Sequence, residues 1–314
     1  MKKALISAGI LSASEILDIL NLAEALQRAA DSDGVPPLLR GKAIALVFDE
    51  TSLRTRAAFQ RAAEDLGAQA HVYSGAEIRL GRNAKKQEYL PDLANVIGRF
   101  YDCVVSRVYD TVVQERFAAL LPIPFINGMC NVHHPTQALC DLLTIQRRFK
   151  RLQGVKIAFV GDATNVALSL AQLAARVGAN FAIACPESVS FPNEAEVGVS
   201  FVRTSDPVEA VSGAHVLIAD TWVPMGKDGE RQERIDLLSP YRVTTALLKH
   251  GAKDLIFMHN LPAVRGEEVE SEVIDGAQSV VYEEAVARLH VARAILLWAL
   301  YPSWRDLTAN KSVR

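Results

Sequence analysis

A chain of 314 residues is longer than one hydrophobic core ordinarily serves, so about two domains are expected, each large enough for its own core. Half the residues are hydrophobic and 22% are charged, an ordinary globular balance, and no stretch is long and apolar enough to span a bilayer. The formal net charge of −2 gives no electrostatic basis for nucleic acid or an anionic membrane as a partner, and the four scattered cysteines (Cys103, Cys130, Cys140, Cys185) show no CxxC and no metal-ligand rhythm, which points to reduced thiols in a cytoplasmic protein.

Met1 to Ile6 briefly imitates a signal peptide, but the apolar stretch breaks at Ser7 and Gly9 and runs into an amphipathic helix instead of a cleavage site. Ser12 and Glu15 make a capping box for that helix, and Ile16, Ile19, Leu20, Ala23 and Leu26 give it one apolar face. From residue 40 strands and helices alternate. Strands are predicted at 42–48, 69–73, 102–106 and 124–127, with helices near 55–66, 88–100, 112–121 and 135–148. The basic run from Arg147 to Gly154 reads as a solvated helix end and hinge, or else as an anion site. A second series follows, with strands at 156–160, 180–185, 200–203, 215–219 and 255–258, a helix at 165–177, and a long helix from about 283 to 301. Such alternation predicts an α/β protein with two doubly wound parallel-sheet domains. Val160-Gly161-Asp162-Ala163-Thr164-Asn165 lacks the glycines of a dinucleotide loop, so no nucleotide cofactor is expected there. It remains a strand-to-helix turn, where open α/β sheets place ligands.

Residues 48 to 59 carry the strongest chemical signal. Ser52-Leu53-Arg54-Thr55 lies where a buried strand hands over to a helix ending at Gly67. The first N–H groups of that helix have no internal partner, and two hydroxyls and a guanidinium beside them make a compact phosphate receptor. Taken alone, the same residues also describe an ordinary helix cap. Arg107 ends an apolar strand, and His134 and Gln137 are three residues apart on one helix face. Singly these could be a surface ion pair and core hydrogen-bonding residues.

In order, Ser-x-Arg-Thr-Arg, Arg107, His134-Pro135-Thr136-Gln137, Asp220-Thr221-Trp222-Val223-Pro224-Met225-Gly226 and His259-Asn260-Leu261-Pro262 resemble the aspartate/ornithine carbamoyltransferase family, its ornithine branch most closely. The resemblance spans nearly the whole chain. It implies transfer of the carbamoyl group of carbamoyl phosphate to the side-chain amine of ornithine, giving citrulline and phosphate, with no cofactor or metal. It further implies a domain at 1–150 for carbamoyl phosphate, completed by a C-terminal helix at about 290–314, and a domain at 151–289 for the amino acid. Ser52, Leu53, Arg54 and Thr55 would hold phosphate, while Arg107, His134, Gln137, Arg288 and the Leu261 carbonyl would meet the carbamoyl group. Thr55, Arg107, His134 and Arg288 carry the catalytic part. Asn165, Asp220, Pro224, Met225, His259 and Asn260 would hold the amino acid, with His259 and Asn260 facing the reacting amine. A cytoplasmic homotrimer with shared sites is implied too.

Three departures bear on the amine. Pro224 stands where the family usually has Ser, removing a hydroxyl and an N–H. Asn260 stands where it usually has Cys, replacing a titratable thiol with a neutral amide. The segment from Gly81 to Asp92 is several residues longer than usual, with Arg79 where Gln is common, and Lys85 or Lys86 could reach a neighbouring subunit or simply be solvated. Acceptance of another amine, such as putrescine or a shorter diamino acid, and a catalytically silent binding paralogue are the alternatives. Aspartate fits poorly, because Asp220 would repel its second carboxylate.

Overall fold

The computed structural model describes residues 2–32, 34–49, 52–81, 85–193, 201–223 and 228–309. The chain divides into two compact units, Met1–Leu143 with Ala287–Arg314, and Thr144–Val286.

In the first unit five parallel strands form one sheet: β1 (Ala4–Leu5), β2 (Ala43–Phe48), β3 (Gln69–Ser74), β4 (Cys103–Arg107) and β5 (Phe125–Asn127), in the order β1-β5-β4-β2-β3. The helices α1 (Ala13–Asp31), α2 (Arg54–Asp65), α3 (Leu90–Phe100), α4 (Thr111–Leu120) and α5 (Pro135–Phe149) lie between and after them. Strands β2 and β4 are buried nearly throughout, as continuous apolar runs in a sheet covered on both faces require. The capping box forms as expected, with Ser12 Oγ accepting from the Glu15 N–H and the Glu15 carboxylate accepting from the Ser12 N–H. The start of the chain adds an element that the sequence pattern did not mark. Ala4–Leu5 is a strand, paired with Phe125–Ile126, because its backbone completes the free edge of β5.

The second unit repeats the plan with β6 (Lys156–Val160), β7 (Asn180–Ala184), β8 (Val202–Thr204), β9 (Val216–Ala219) and β10 (Ile256–His259), all parallel, in the order β10-β9-β6-β7-β8. Its helices are α6 (Asn165–Arg176) and the short α7 (Pro207–Val211), α8 (Arg231–Leu238), α9 (Thr245–Leu248) and α10 (Ser271–Ile274). The long α11 (Val281–Leu300) passes from this unit back into the first, where α12 (Asp306–Ala309) follows. Among the described residues no helix is long and apolar enough to cross a membrane.

Each sheet reverses its strand order once, between β2 and β4 in the first unit and between β6 and β9 in the second. Connections leave such a point in opposite directions, so the loops part and a crevice opens at the carboxyl ends of the strands. Phe48 pairs with Arg107 across one reversal, and Val160 pairs with Ala219 across the other.

Candidate active site

At the first reversal, α2 begins six residues after β2 ends and Arg107 is the last residue of β4. This register brings the Arg107 Nη1 to 3.5 Å from the Thr55 Oγ1, both side chains being buried. The helix-cap alternative does not describe α2, whose N-cap position is Leu53 and carries no side-chain hydrogen bond. Leu53 itself is 71% exposed, so only its backbone is suited to a polar ligand. Nor is Arg107 a surface ion-pairing residue, since it is 7% exposed.

Gly128 sits close by; a Cβ there would lie 3.4 Å from the Thr55 Cγ2, so the loop after β5 packs directly on the start of α2. Two buried amides that sequence reading passed over fix this loop. Gln114 Nε2 donates to the carbonyls of Val108 and Met129, and Asn127 Oδ1 accepts from the Met129 N–H. The loop delivers His134 to the residue before α5. There the Thr136 hydroxyl lies 3.3 Å from its Nδ1, and Gln137 donates to the Asp141 carboxylate at 2.7 Å. Thr55, Ala58 and Phe59 of α2, Thr136, Gln137 and Cys140 of α5, and Arg288, Val291 and Ala292 of α11 line one small cleft.

The electrostatics of this cluster have one sign. Burial, and then the neighbouring Arg107 and Arg288, hold the His134 imidazole well below its ordinary pKa, so it is neutral near pH 7. Burial and Arg288 likewise lower the Arg54 guanidinium. Cations drawn together in partly desolvated space favour an anion that relieves both repulsion and lost hydration. The Asp65 carboxylate at the far end of α2 accepts from Arg293 Nε at 2.9 Å and registers α11 on α2, in the same helix that supplies Arg288.

The second reversal has the opposite sign. Asp220 follows β9 and is 7% exposed. It does not cap a helix. Its Oδ1 accepts from the Thr221 N–H at 2.8 Å and its Oδ2 from the Thr164 hydroxyl at 3.1 Å. Burial raises its pKa, against which the nearby His259 and these two hydrogen bonds act. Thr164 also caps α6, so one hydroxyl ties Asp220 to the turn that presents Asn165. Gly161, at φ 125°, makes that turn against Trp222; a Cβ there would meet the indole Nε1 at 3.1 Å. Arg234 then links the two loops, its Nε donating to the Trp222 carbonyl and its Nη2 pairing with Asp162.

His259 departs from expectation. It is 0% exposed and does not face open space, its Nδ1 accepting from the Leu261 N–H at 2.9 Å. Asn260 and Leu261, both half-buried, are left as the part of the motif nearer the surface. Leu261 holds a left-handed backbone at φ 52°, which costs a non-glycine residue about 1–2 kcal/mol. Pro224 and Met225 lie outside the described residues. Lys85 and Lys86 are exposed, and no metal-holding group of His, Cys, Asp or Glu occurs among the described residues. Thus Arg54, Thr55, Arg107, His134, Gln137 and Arg288 come together in one unit, with Ser52 and Leu53 at the adjoining helix start, while Asn165, Asp220 and the 259–261 loop belong to the other.

Residues 3–147 match the family model "Aspartate/ornithine carbamoyltransferase, carbamoyl-P binding domain", and residues 153–299 match its "Asp/Orn binding domain". The chain is 39% identical over 300 residues to an ornithine carbamoyltransferase of Carboxydothermus hydrogenoformans, covering 93% of this chain and 95% of the relative. It is 41% identical over 299 residues to one from Rhodopseudomonas palustris, covering 92% and 94%. The solved ornithine carbamoyltransferase of Pyrococcus furiosus superposes with a TM-score of 0.88 at 37% identity, over 96% of this chain and 97% of that one.

Proposed function

This chain belongs to the aspartate/ornithine carbamoyltransferase family, and from that premise we propose that it carbamoylates the side-chain amine of L-ornithine with carbamoyl phosphate, yielding L-citrulline and phosphate. The observation that carries this reading is the cation cluster of Arg54, Arg107 and Arg288 around Thr55 and a neutral His134, set at the start of α2.

Phosphate takes the α2 N–H groups, Ser52, Arg54 and Thr55. The carbamoyl oxygen takes hydrogen bonds from Thr55, Arg107 and His134. With its pKa depressed, His134 acts as a fixed donor and not as an acid. If the Thr136 hydroxyl donates to Nδ1, the ring proton sits on Nε2, the nitrogen that then serves as the donor. The amine nitrogen, deprotonated before it attacks, bonds to the carbamoyl carbon. The C–O bond to phosphorus breaks, phosphate leaves with the electron pair, and the amine gives up its remaining excess proton. Oriented donors aimed at the developing oxyanion supply several kcal/mol of this barrier, and neither a covalent intermediate nor a metal is needed. Asp220 and Asn165 hold the α-ammonium and α-carboxylate of ornithine, with the backbone of Asn260 and Leu261 beside the reacting amine.

Phosphate release from carbamoyl phosphate with ornithine, putrescine and shorter diamino acids tests the proposal. Release with ornithine, matched by citrulline, is expected. A tenfold preference for another amine would overturn the choice of amine alone, and no release with any amine would overturn the activity. Asn260→Cys, which restores the family thiol, should raise ornithine turnover and shift the pH–rate profile.

A cytoplasmic homotrimer with sites shared between subunits accompanies this reading, supported by the family resemblance and by the exposed Lys85 and Lys86 on an extended segment. A fully active monomer in light scattering would refute it.

A further inference from the structure

We infer that Glu268 and Glu284 are positioning residues for the amine-facing loop and that they act through His259; this rests on the proposed reading that Asn260 and Leu261 face the amine. The His259 N–H donates to Glu284 Oε2 at 2.9 Å. The Val264 N–H donates to Glu268 Oε1 at 2.6 Å, and that same oxygen lies 3.2 Å from His259 Nε2, a close polar contact that falls short of hydrogen-bond geometry. Both carboxylates are buried, Glu268 at 0% and Glu284 at 1% exposure. Two carboxylates, Glu284 of α11 and Glu268 of the turn before Val269, therefore hold both ends of one loop, 259–264.

Buried charge beside a buried imidazole is costly and favours a packing role only weakly, because apolar side chains would pack as well. What the arrangement supplies is direction. Since Nδ1 accepts from the Leu261 N–H, a neutral ring carries its proton on Nε2, the nitrogen turned toward Glu268. That tautomer keeps Nδ1 an acceptor, and the acceptor holds Leu261 in its left-handed conformation. The same strand register sets His259 opposite Ala219, whose successor is Asp220. The brace thus fixes Asn260 and the Leu261 carbonyl relative to the carboxylate proposed to hold the α-ammonium. With both ring nitrogens turned inward, His259 takes no proton from the amine.

The test compares His259→Phe, which keeps a ring but no acceptor, with His259→Asn, whose amide oxygen can replace Nδ1. The Phe variant should lose at least tenfold in kcat/KM for ornithine, keep carbamoyl phosphate affinity within twofold by calorimetry, and exchange the Leu261 amide hydrogen faster. The Asn variant should recover most of that loss although it has no titratable ring. An Asn variant as poor as Phe, with a limb missing from its pH–rate profile, would mean proton transfer and overturn the inference; so would an unimpaired Phe variant. If the Phe variant fails to fold, Glu268→Gln decides. A threefold or greater fall in kcat/KM for ornithine with an unchanged profile shape supports the brace, and no fall overturns it. Should the wild-type chain carbamoylate no amine, the functional reading fails by itself, and Leu261 amide exchange still judges the brace.

Discussion

Asp220→Asn separates what this carboxylate does for ligand from what it does to the fold. The substitution keeps the shape, and an amide oxygen can still accept from the Thr221 N–H while the Thr164 hydroxyl turns to accept from the new NH₂. What is removed is a buried charge. Truncating one member of a buried charge pair costs about 2–5 kcal/mol, which is about thirty- to five-thousand-fold in kcat/KM for ornithine. Carbamoyl phosphate affinity should change little, because its proposed ligands belong to the other unit. Stability should move the opposite way. The Asp220 pKa is raised in the native state, so between the ordinary carboxylate value and that raised value the native state binds more protons than the unfolded one. Stability therefore falls as pH rises through that window, and above it the unliganded protein carries the full penalty. The Asn variant escapes it. Steady-state kinetics at saturating carbamoyl phosphate, with calorimetric unfolding of the unliganded protein from pH 4 to 8, measure both effects. A variant within twofold of wild type for ornithine would refute the assignment, and one melting lower than wild type at pH 7 would refute the account of the buried charge.

Arg54→Ala should leave the fold intact, since the side chain is half-buried at a helix start, and weaken carbamoyl phosphate binding by about ten- to hundredfold, the value of one charge-assisted hydrogen bond, in calorimetry. His134 has a lowered native pKa, so the unfolded state binds more protons as pH falls below about 6.5. Stability is lost there on acidification, and His134→Gln should flatten that slope in pH-dependent melting while reducing kcat. Arg293→Met should cost about 3 kcal/mol in denaturant unfolding, the low end for a broken buried pair, because Asp65 keeps Arg61 at 2.7 Å.

Long, strongly patterned segments were legible in the sequence because one face or both must be buried. β2 and α2 came through in this way, and with them the place of the strand-to-helix turn proposed to hold phosphate. Short elements were not. Ala4–Leu5 is two residues long and owes its strand to hydrogen bonds with β5, more than a hundred residues away. Helices α7, α9 and α10 have four or five residues, less than two turns, so no apolar period can declare itself. Site residues divide likewise. Arg107 ends an apolar strand and Asp220 directly follows one, which marks them; Gln114 and Asn127 are uncharged amides whose importance appears only when the loops they join are folded. Glu284 did leave a trace. It lies on the buried stripe Val281, Glu284, Ala287, Arg288, Val291 of α11, where a carboxylate on an apolar face asks for a partner. The inward turn of His259 left none, since a strand's last residue can present its side chain to either face.

The two sites share a physical logic despite their opposite signs. In the first unit the Arg54 guanidinium and the His134 imidazole are held where burial and neighbouring cations lower their pKa values. In the second a carboxylate is held where burial raises its own. Each shift means that the charged form is disfavoured without ligand, and each proposed ligand would bring the charge that relieves it: an anionic phosphate to one, an α-ammonium to the other. Surrounding hydrogen bonds limit the cost. Gln114 and Asn127 secure the loop before His134, and Thr164 and Arg234 secure the turns beside Asp220. Strain kept in the unliganded sites in this way lets binding energy go into orientation, the term on which transfer between two bound reactants depends.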